Sequence, residues 1–340
     1  MADGLNHDFR RRLGKCEHNV LPQTRQSGGR VHHRSAHTGK LRSTSTVRVM
    51  RVHLIDGTYE LFRQHFGQVS RHEDSHPMAA AAGVVSSTFA LLADGATHVG
   101  VASDHTIKSF RNDLYAGYKD GAGMDEDILR QIPVMEDALT AAGFVVWPMV
   151  SHEADDAMAA AAKVGAADER VEQVLIVTPD KDLGQCVQGD RVVQFDRRKR
   201  EILNEAAIIE KFGIGPASIP DYLGLVGDSA DGFPGLPGWG AKSAARVLAR
   251  YGHIEDIPAA AGQWDVDGLR GAAKLSATLQ AQMEDAFLFR KIATVDTDLD
   301  VGAVDEWRWT GPTEGFAAVA EQIGSPGLFR QAQKLAAALT

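Results

Sequence analysis

Residues 151–163, SHEADDAMAAAAK, place Glu153, Asp155 and Asp156 within four positions, directly before an alanine-rich run. Like charges this close repel: at ~4 Å and an effective dielectric of ~20, one pair costs roughly 4 kcal/mol. A helix N-terminus tolerates acids, because its free N–H groups and dipole favour negative charge, and a cap is worth roughly 1 kcal/mol. Ala157–Lys163 reads as a helix, so Asp155 or Asp156 could simply cap it. The alternative is a cation. Asp56, Asp104, Asp180, Asp182, Asp228 and Asp231 supply further acids, with no Cys among them. Such oxygen-only ligands suit Mg²⁺ or Mn²⁺. This many suit two ions ~3.5–4 Å apart, an arrangement that hydrolyses phosphate esters.

The elements that would position these acids follow an α/β pattern from residue 51. RVHLI (51–55), HVGVA (98–102), FVVWPMV (144–150) and VLIVT (174–178) read as buried parallel strands. Helical stretches lie around 79–93, 125–142 and 155–166, so βαβ crossovers and a parallel sheet flanked by helices are expected. The first strand ends at Asp56, the second precedes Asp104, the third precedes Glu153, Asp155 and Asp156, and the fourth precedes Asp180 and Asp182. Sites in open parallel sheets form at the carboxyl ends of strands. Four acidic strand ends aimed at one crevice would repel unless divalent cations sit there.

Two basic stretches accompany the acids. In GLVGDSADGFPGLPGWGAKSAARVLARYG (224–252), a Gly/Pro-rich hairpin, Gly235–Gly240, runs into a helix carrying Lys242, Arg246 and Arg250 at intervals of four. Glycines let backbone N–H groups approach a phosphate, and a helix N-terminus favours an anion. The spacing predicts a phosphate-tracking helix–hairpin–helix; a solvated surface stripe is the plainer alternative. Ala241 between Gly240 and Lys242 excludes a P-loop. In IKSFRNDLYAGYK (107–119), Lys108, Arg111, Tyr115, Tyr118 and Lys119 recur at helical spacing. Cations interleaved with rings suit single-stranded nucleic acid, although the tyrosines equally suit a core.

The 340 residues hold 36 Lys+Arg and 45 Asp+Glu, a net charge of −9, with 44% hydrophobic and 24% charged residues. This is the composition of a soluble globular chain. Residues 1–48 carry ten basic and three acidic residues, leaving 26 basic and 42 acidic beyond them. The acidic body argues against a general polyanion binder. The two cysteines, Cys16 and Cys186, fit neither a disulfide framework nor a zinc site and suit a reducing cytosol. There is no signal-peptide core and no apolar run of the ~18 residues that a membrane helix needs. Residues 1–48 read as a disordered basic tail, and Met50, directly before the first strand, makes that tail a candidate artefact of start assignment.

LIDGTYELFR, FRNDLYAGYK, EADDAMA, TPDKDL and GDSADGFPGLPGWGAKSA, in that order, resemble the flap endonuclease/5′-nuclease superfamily. The likeness is strongest to the 5′→3′ exonuclease domain of bacterial DNA polymerase I and its stand-alone bacterial and phage relatives, and runs from about Val52 to about Asp300. The resemblance implies a PIN-like α/β core (49–203), a helix–three-turn–helix DNA-binding region (204–255) and a mostly helical C-terminal region (256–340). It implies one metal cluster of Asp56, Asp104, Glu153 and Asp155 and a second of Asp180, Asp182, Asp228 and Asp231, with Asp156 between them. Arg111 and Lys119 would contact the scissile phosphate and Tyr118 would stack. The hairpin with Gly235, Gly238 and Gly240 would bind K⁺ and, with Lys242 and Arg246, hold duplex DNA. The implied activity is Mg²⁺- or Mn²⁺-dependent hydrolysis by two ions at a 5′ flap or duplex end, in replication and repair. RNA-primer hybrids are a further substrate class; the protein would act as a cytoplasmic monomer. One departure stands out: YKDGAGMDED has no second cation before Arg130. This leaves open the balance between exonuclease and flap-endonuclease activity. The rival readings are a PIN-type ribonuclease, a phosphatase and a non-catalytic DNA-binding protein. The basic hairpin–helix argues against the first two, and the complete acid set against the third.

Overall fold

β-rich runs in this chain fold into one sheet because each is apolar on both faces and must be covered twice. A computed structural model describes residues 50–69 and 76–339; the tail expected over 1–48 lies outside the described residues. Strands β1 (Met50–Asp56), β2 (His98–Asp104), β3 (Val145–Met149) and β4 (Val171–Val177) are the four expected from the sequence. Two more follow, β5 (Val192–Asp196) and β6 (Glu201–Leu203). The order is β3-β2-β1-β4-β5-β6. Every pairing is parallel except β5 with β6. The sheet is therefore mixed rather than parallel: DRRKRE (196–201) turns the chain straight back, and a tight hairpin permits only antiparallel pairing. Because β4 returns to the far side of β1, the strand order reverses there, and the crevice lies at the carboxyl ends of β1 and β4.

Alternation along the strands divides the core. Ile55, Val99, Val101, Leu175 and Val177 face helices α1 (Gly57–Val69), α2 (Ala79–Ala93) and, after α3 (Arg111–Leu114) and α4 (Glu126–Leu129), α5 (Gln131–Ala141). Val52, Leu54, Ala102, Val174 and Ile176 face α6 (Ala154–Ala167). One helix was expected over 125–142; it breaks at Arg130, since Pro133 has no N–H to bond the preceding turn. The alanines of α6 let it lie close on the sheet: a Cβ at Gly165 would come within 2.9 Å of Val174 Cγ2. That approach delivers the acids of its first turn to the strand ends.

A second core forms from α7 (Glu205–Phe212), α8 (Ile219–Val226), α9 (Ala241–Tyr251), α10 (Ala272–Ala281) and α11 (Met283–Ala293). Residues 256–340 divide between the two cores. Trp307 packs with α6, while Trp309, α12 (Phe316–Gln322) and α13 (Gly327–Ala337) return to the α1–α2–α5 face. Among the described residues no helix is long and apolar enough to cross a membrane.

Gly100 in β2 lies beneath the indole of Trp147, where a Cβ would sit 2.1 Å from Cη2. Trp147 Nε1 donates to Val301 O at 3.2 Å, so the ring is held in place. Gly100→Ala is expected to cost about 1–3 kcal/mol through overpacking, read as a lower thermal midpoint; an unchanged midpoint would show that the indole yields.

Candidate metal centre and nucleic-acid face

Asp56 ends β1, Asp104 ends β2, and Asp180 follows β4, so three acids reach one sheet edge simply because parallel strands end together. Asp56 Oδ1 accepts from Tyr59 N (2.8 Å) and Oδ2 from Thr178 Oγ1 (3.0 Å), tying β1 to the end of β4. Asp104 Oδ1 accepts from Ala154 N at 2.8 Å, at the start of α6. Glu153, just before α6, receives Ser109 Oγ (2.7 Å) and Tyr118 OH (3.1 Å), with Lys119 Nζ 2.9 Å from Oε2. The turn after α8 brings Asp228 and Asp231 to Asp182, which follows β4: one oxygen of each of the three lies within 4.8 Å of the others.

The carboxyls respond to this crowding. Burial, then Asp104 and Asp180, pushes Asp56 from 3.8 up to about 7. Burial with Asp180 and Asp56 raises Asp155 well above the usual range. Asp182 is raised by burial and by Asp180, Asp231 and Asp228, against the pull of Lys181. Asp104 is raised mainly by burial. Burial would raise Glu153 too, but Lys119 and Arg111 outweigh it and hold it low. Burial acts against the Lys119 ammonium, yet Asp231 and Glu153 hold it charged; its Nζ lies 3.1 Å from Asp231 Oδ1.

A divalent cation fits this donor set. The ligands are all oxygen, and Asp182 Oδ1 is buried with no hydrogen-bond partner, a situation uncommon for buried polar atoms.

Three expected roles do not match the geometry. Asp156 is fully buried and engaged on both oxygens: Arg111 NH1 and NH2 each donate at 2.7 Å, Glu153 N at 2.9 Å and Asp296 N at 2.8 Å. It ties the start of α6 together rather than facing the acid cluster, as the capping alternative allowed. Arg111 is 3% exposed and spends its other contacts on Ile292 O (2.8 Å) and Thr294 O (3.2 Å). A guanidinium so enclosed has no face left for a phosphate. Burial opposes its charge, but the Asp156 hydrogen bonds outweigh that and raise its pKa. The Tyr118 ring is buried in the helical core with its hydroxyl on Glu153, so it has no free face for stacking. Lys119, 29% exposed between Glu153 and Asp231, does lie on the acidic face.

The turn between α8 and α9 is shaped by glycine. Gly227 (φ 76°) and Gly235 (φ 66°) lie back to back, and a Cβ on either would come within 2.3 Å of the other segment's backbone. Leu236 N donates to Leu225 O at 2.8 Å, pinning the hairpin to α8. Gly238 (φ 86°) leads to Gly240, which precedes α9; Ser243 Oγ accepts from Gly240 N at 3.0 Å. Lys242 is exposed. Arg246 and Arg250 are exposed but turn towards Gly268 O (2.7 Å) and Asp265 Oδ2 (3.2 Å). Exposed Lys274, close to Gly238, adds a cation that the motif did not predict, because it lies on α10. Lys181 was also passed over; its signal was a cation set between two acids in TPDKDL.

Residues 51–213 match the family described as 5′-3′ exonuclease, N-terminal resolvase-like domain, and residues 214–314 match 5′-3′ exonuclease, C-terminal SAM fold. A 5′-3′ exonuclease of Aquifex aeolicus is 31% identical over 259 residues, covering 75% of this chain and 85% of that one. The thermostable DNA polymerase I of Thermus thermophilus is 32% identical over 278 residues, 80% of this chain; the match spans 32% of the polymerase. A flap endonuclease of bacteriophage T5, solved as a pseudo-enzyme-product complex with DNA and metal ions, has the same fold, with a TM-score of 0.58 and 19% identity. That likeness covers 84% of this chain and 97% of the phage protein.

Breaking the Arg111–Asp156 pair strands a buried charge. Arg111→Met or Asp156→Ala is expected to cost about 3–5 kcal/mol in urea denaturation. The double variant Arg111→Met/Asp156→Leu should cost less than the two single changes summed. Lost activity at unchanged stability would contradict this structural role.

The raised Asp56 carboxyl sets a pH dependence. Between its unfolded value of 3.8 and about 7 the folded chain holds the extra proton, so this group's contribution to stability is lost as pH rises through that window. In EDTA, Asp56→Asn should flatten the decline in urea midpoint between about pH 4 and about pH 7; a slope identical to wild type would refute the assignment.

Proposed function

The chain belongs to the 5′-3′ exonuclease family, and on that premise we propose that it hydrolyses DNA phosphodiesters near a 5′ end or single-strand/duplex junction with two Mg²⁺ or Mn²⁺ ions. The observation that carries this reading is the convergence of eight acids and Lys119 at one sheet edge, beside a glycine hairpin and the cationic start of α9. Asp56, Asp104, Glu153 and Asp155 would hold one ion and Asp180, Asp182, Asp228 and Asp231 the other. Such a pair supplies an activated water and stabilises the departing oxygen.

The chain's own residues do the rest. Thr178 and Tyr59 N orient Asp56; Ala154 N orients Asp104; Ser109 and Tyr118 fix Glu153. Lys119 lies between the two ligand sets and would bring positive charge to the scissile phosphate. The hairpin 235–240, Lys242 and Lys274 would follow the backbone of a duplex arm, reading shape rather than sequence. K⁺ on the hairpin's carbonyls is part of the same reading.

The test is a duplex carrying a 5′ flap, labelled at its 3′ end, incubated with Mg²⁺, Mn²⁺ or EDTA. Metal-dependent cutting near the branch is expected. Asp228→Asn should lower it by at least about 100-fold while binding of the flap substrate persists. Binding without cutting in any metal would replace the nuclease with a DNA-binding protein. Preferential cutting of single-stranded RNA would favour the ribonuclease.

A further inference from the structure

We propose that Lys181 is a built-in counter-ion that holds the Asp182–Asp228–Asp231 set together in the metal-free protein and is expelled when a divalent cation binds there. The inference rests on the reading of those three residues as metal ligands. It stands on more than clustered acids: Asp182 is 7% exposed, and its Oδ1 makes no hydrogen bond.

Lys181 immediately precedes Asp182, and its position follows from that. Its Nζ pairs with Asp228 Oδ2 and stands 3.5 Å from Asp182 Oδ1. One ammonium therefore touches two of the three ligands. A divalent ion bonded to the same oxygens would meet that ammonium as a like charge at contact distance, so the two compete for one place. The Lys181 side chain is 32% exposed, and its stem is flexible enough for the head group to leave while the backbone stays. Lys119 has a different place: it joins Asp231 to Glu153, across the two ligand sets.

The arrangement has two consequences. Without metal, the three carboxylates remain gathered because a tethered cation screens them. With metal, affinity is lower than the bare ligand set would give, since the ammonium must first be displaced.

Calorimetric titration with Mn²⁺ alone, on the metal-free full-length protein, separates the possibilities. Lys181→Met and Lys181→Gln are expected to bind about tenfold tighter than wild type. In EDTA they should melt below wild type, with saturating Mn²⁺ closing the gap. Asp182→Asn should weaken binding. If it does, and the Lys181 variants bind no tighter than wild type, the metal reading stands and the counter-ion is overturned. If Asp182→Asn leaves Mn²⁺ binding unchanged, the metal reading falls and this inference falls with it.

Discussion

Mutual repulsion among carboxylates is the constraint around which this protein is built. Eight acids share one sheet edge, and burial removes the water that would screen them. The chain answers in three ways. Carboxyl pKa values are pushed up where burial and neighbouring acids act together, at Asp56, Asp155 and Asp182. Ammonium groups stand between acids, as Lys119 and Lys181 do. Hydrogen-bond donors orient individual members, with Thr178 on Asp56, Ala154 N on Asp104 and Ser109 on Glu153. Ligands already assembled against their own repulsion would lower the cost of binding a divalent cation.

Assembly depends on the helical lobe meeting the sheet correctly, since Asp228 and Asp231 belong to the former and Asp56, Asp104 and Asp180 to the latter. Arg111 makes one such join. It reaches Asp156 at the start of α6 and the carbonyls of Ile292 and Thr294 at the end of α11 in a single guanidinium. Lys119 makes another, through its backbone N to Asp231 O at 2.9 Å and its ammonium to both ligand sets. A planar five-donor cation suits the buried join, whereas a flexible ammonium suits the face where charge must be redistributed.

An acidic body that handles a polyanion needs local remedies. The exposed cations around the hairpin, Lys242 and Lys274, project from elements whose inner faces, Ala244, Val247, Leu248, Leu275 and Leu279, build the second core. The same helices thus fold the lobe and present its charge. Bound divalent ions would supply the remaining positive potential where phosphate approaches the acids.

The positions of the first four strands along the chain and the types of residue at their ends were legible in the sequence, because burial on both faces leaves continuous apolar runs and parallel strands must finish at one edge. So was the hairpin, through glycines that only a close backbone approach requires. Neither the order in the sheet nor β5 and β6 was legible there; β6, three residues long, exists by pairing with β5 rather than by any pattern of its own. Nor was the fate of Arg111, Tyr118 and Asp156. Sequence shows charge and ring at a given spacing, but which partner a side chain meets depends on segments 45 and 181 positions away. Local periodicity determined the scaffold and the identity of the acids. Only tertiary packing decided which acids face the crevice, which are locked in ion pairs, and which cations stand between them, because desolvation and pairing act across contacts that local pattern does not encode.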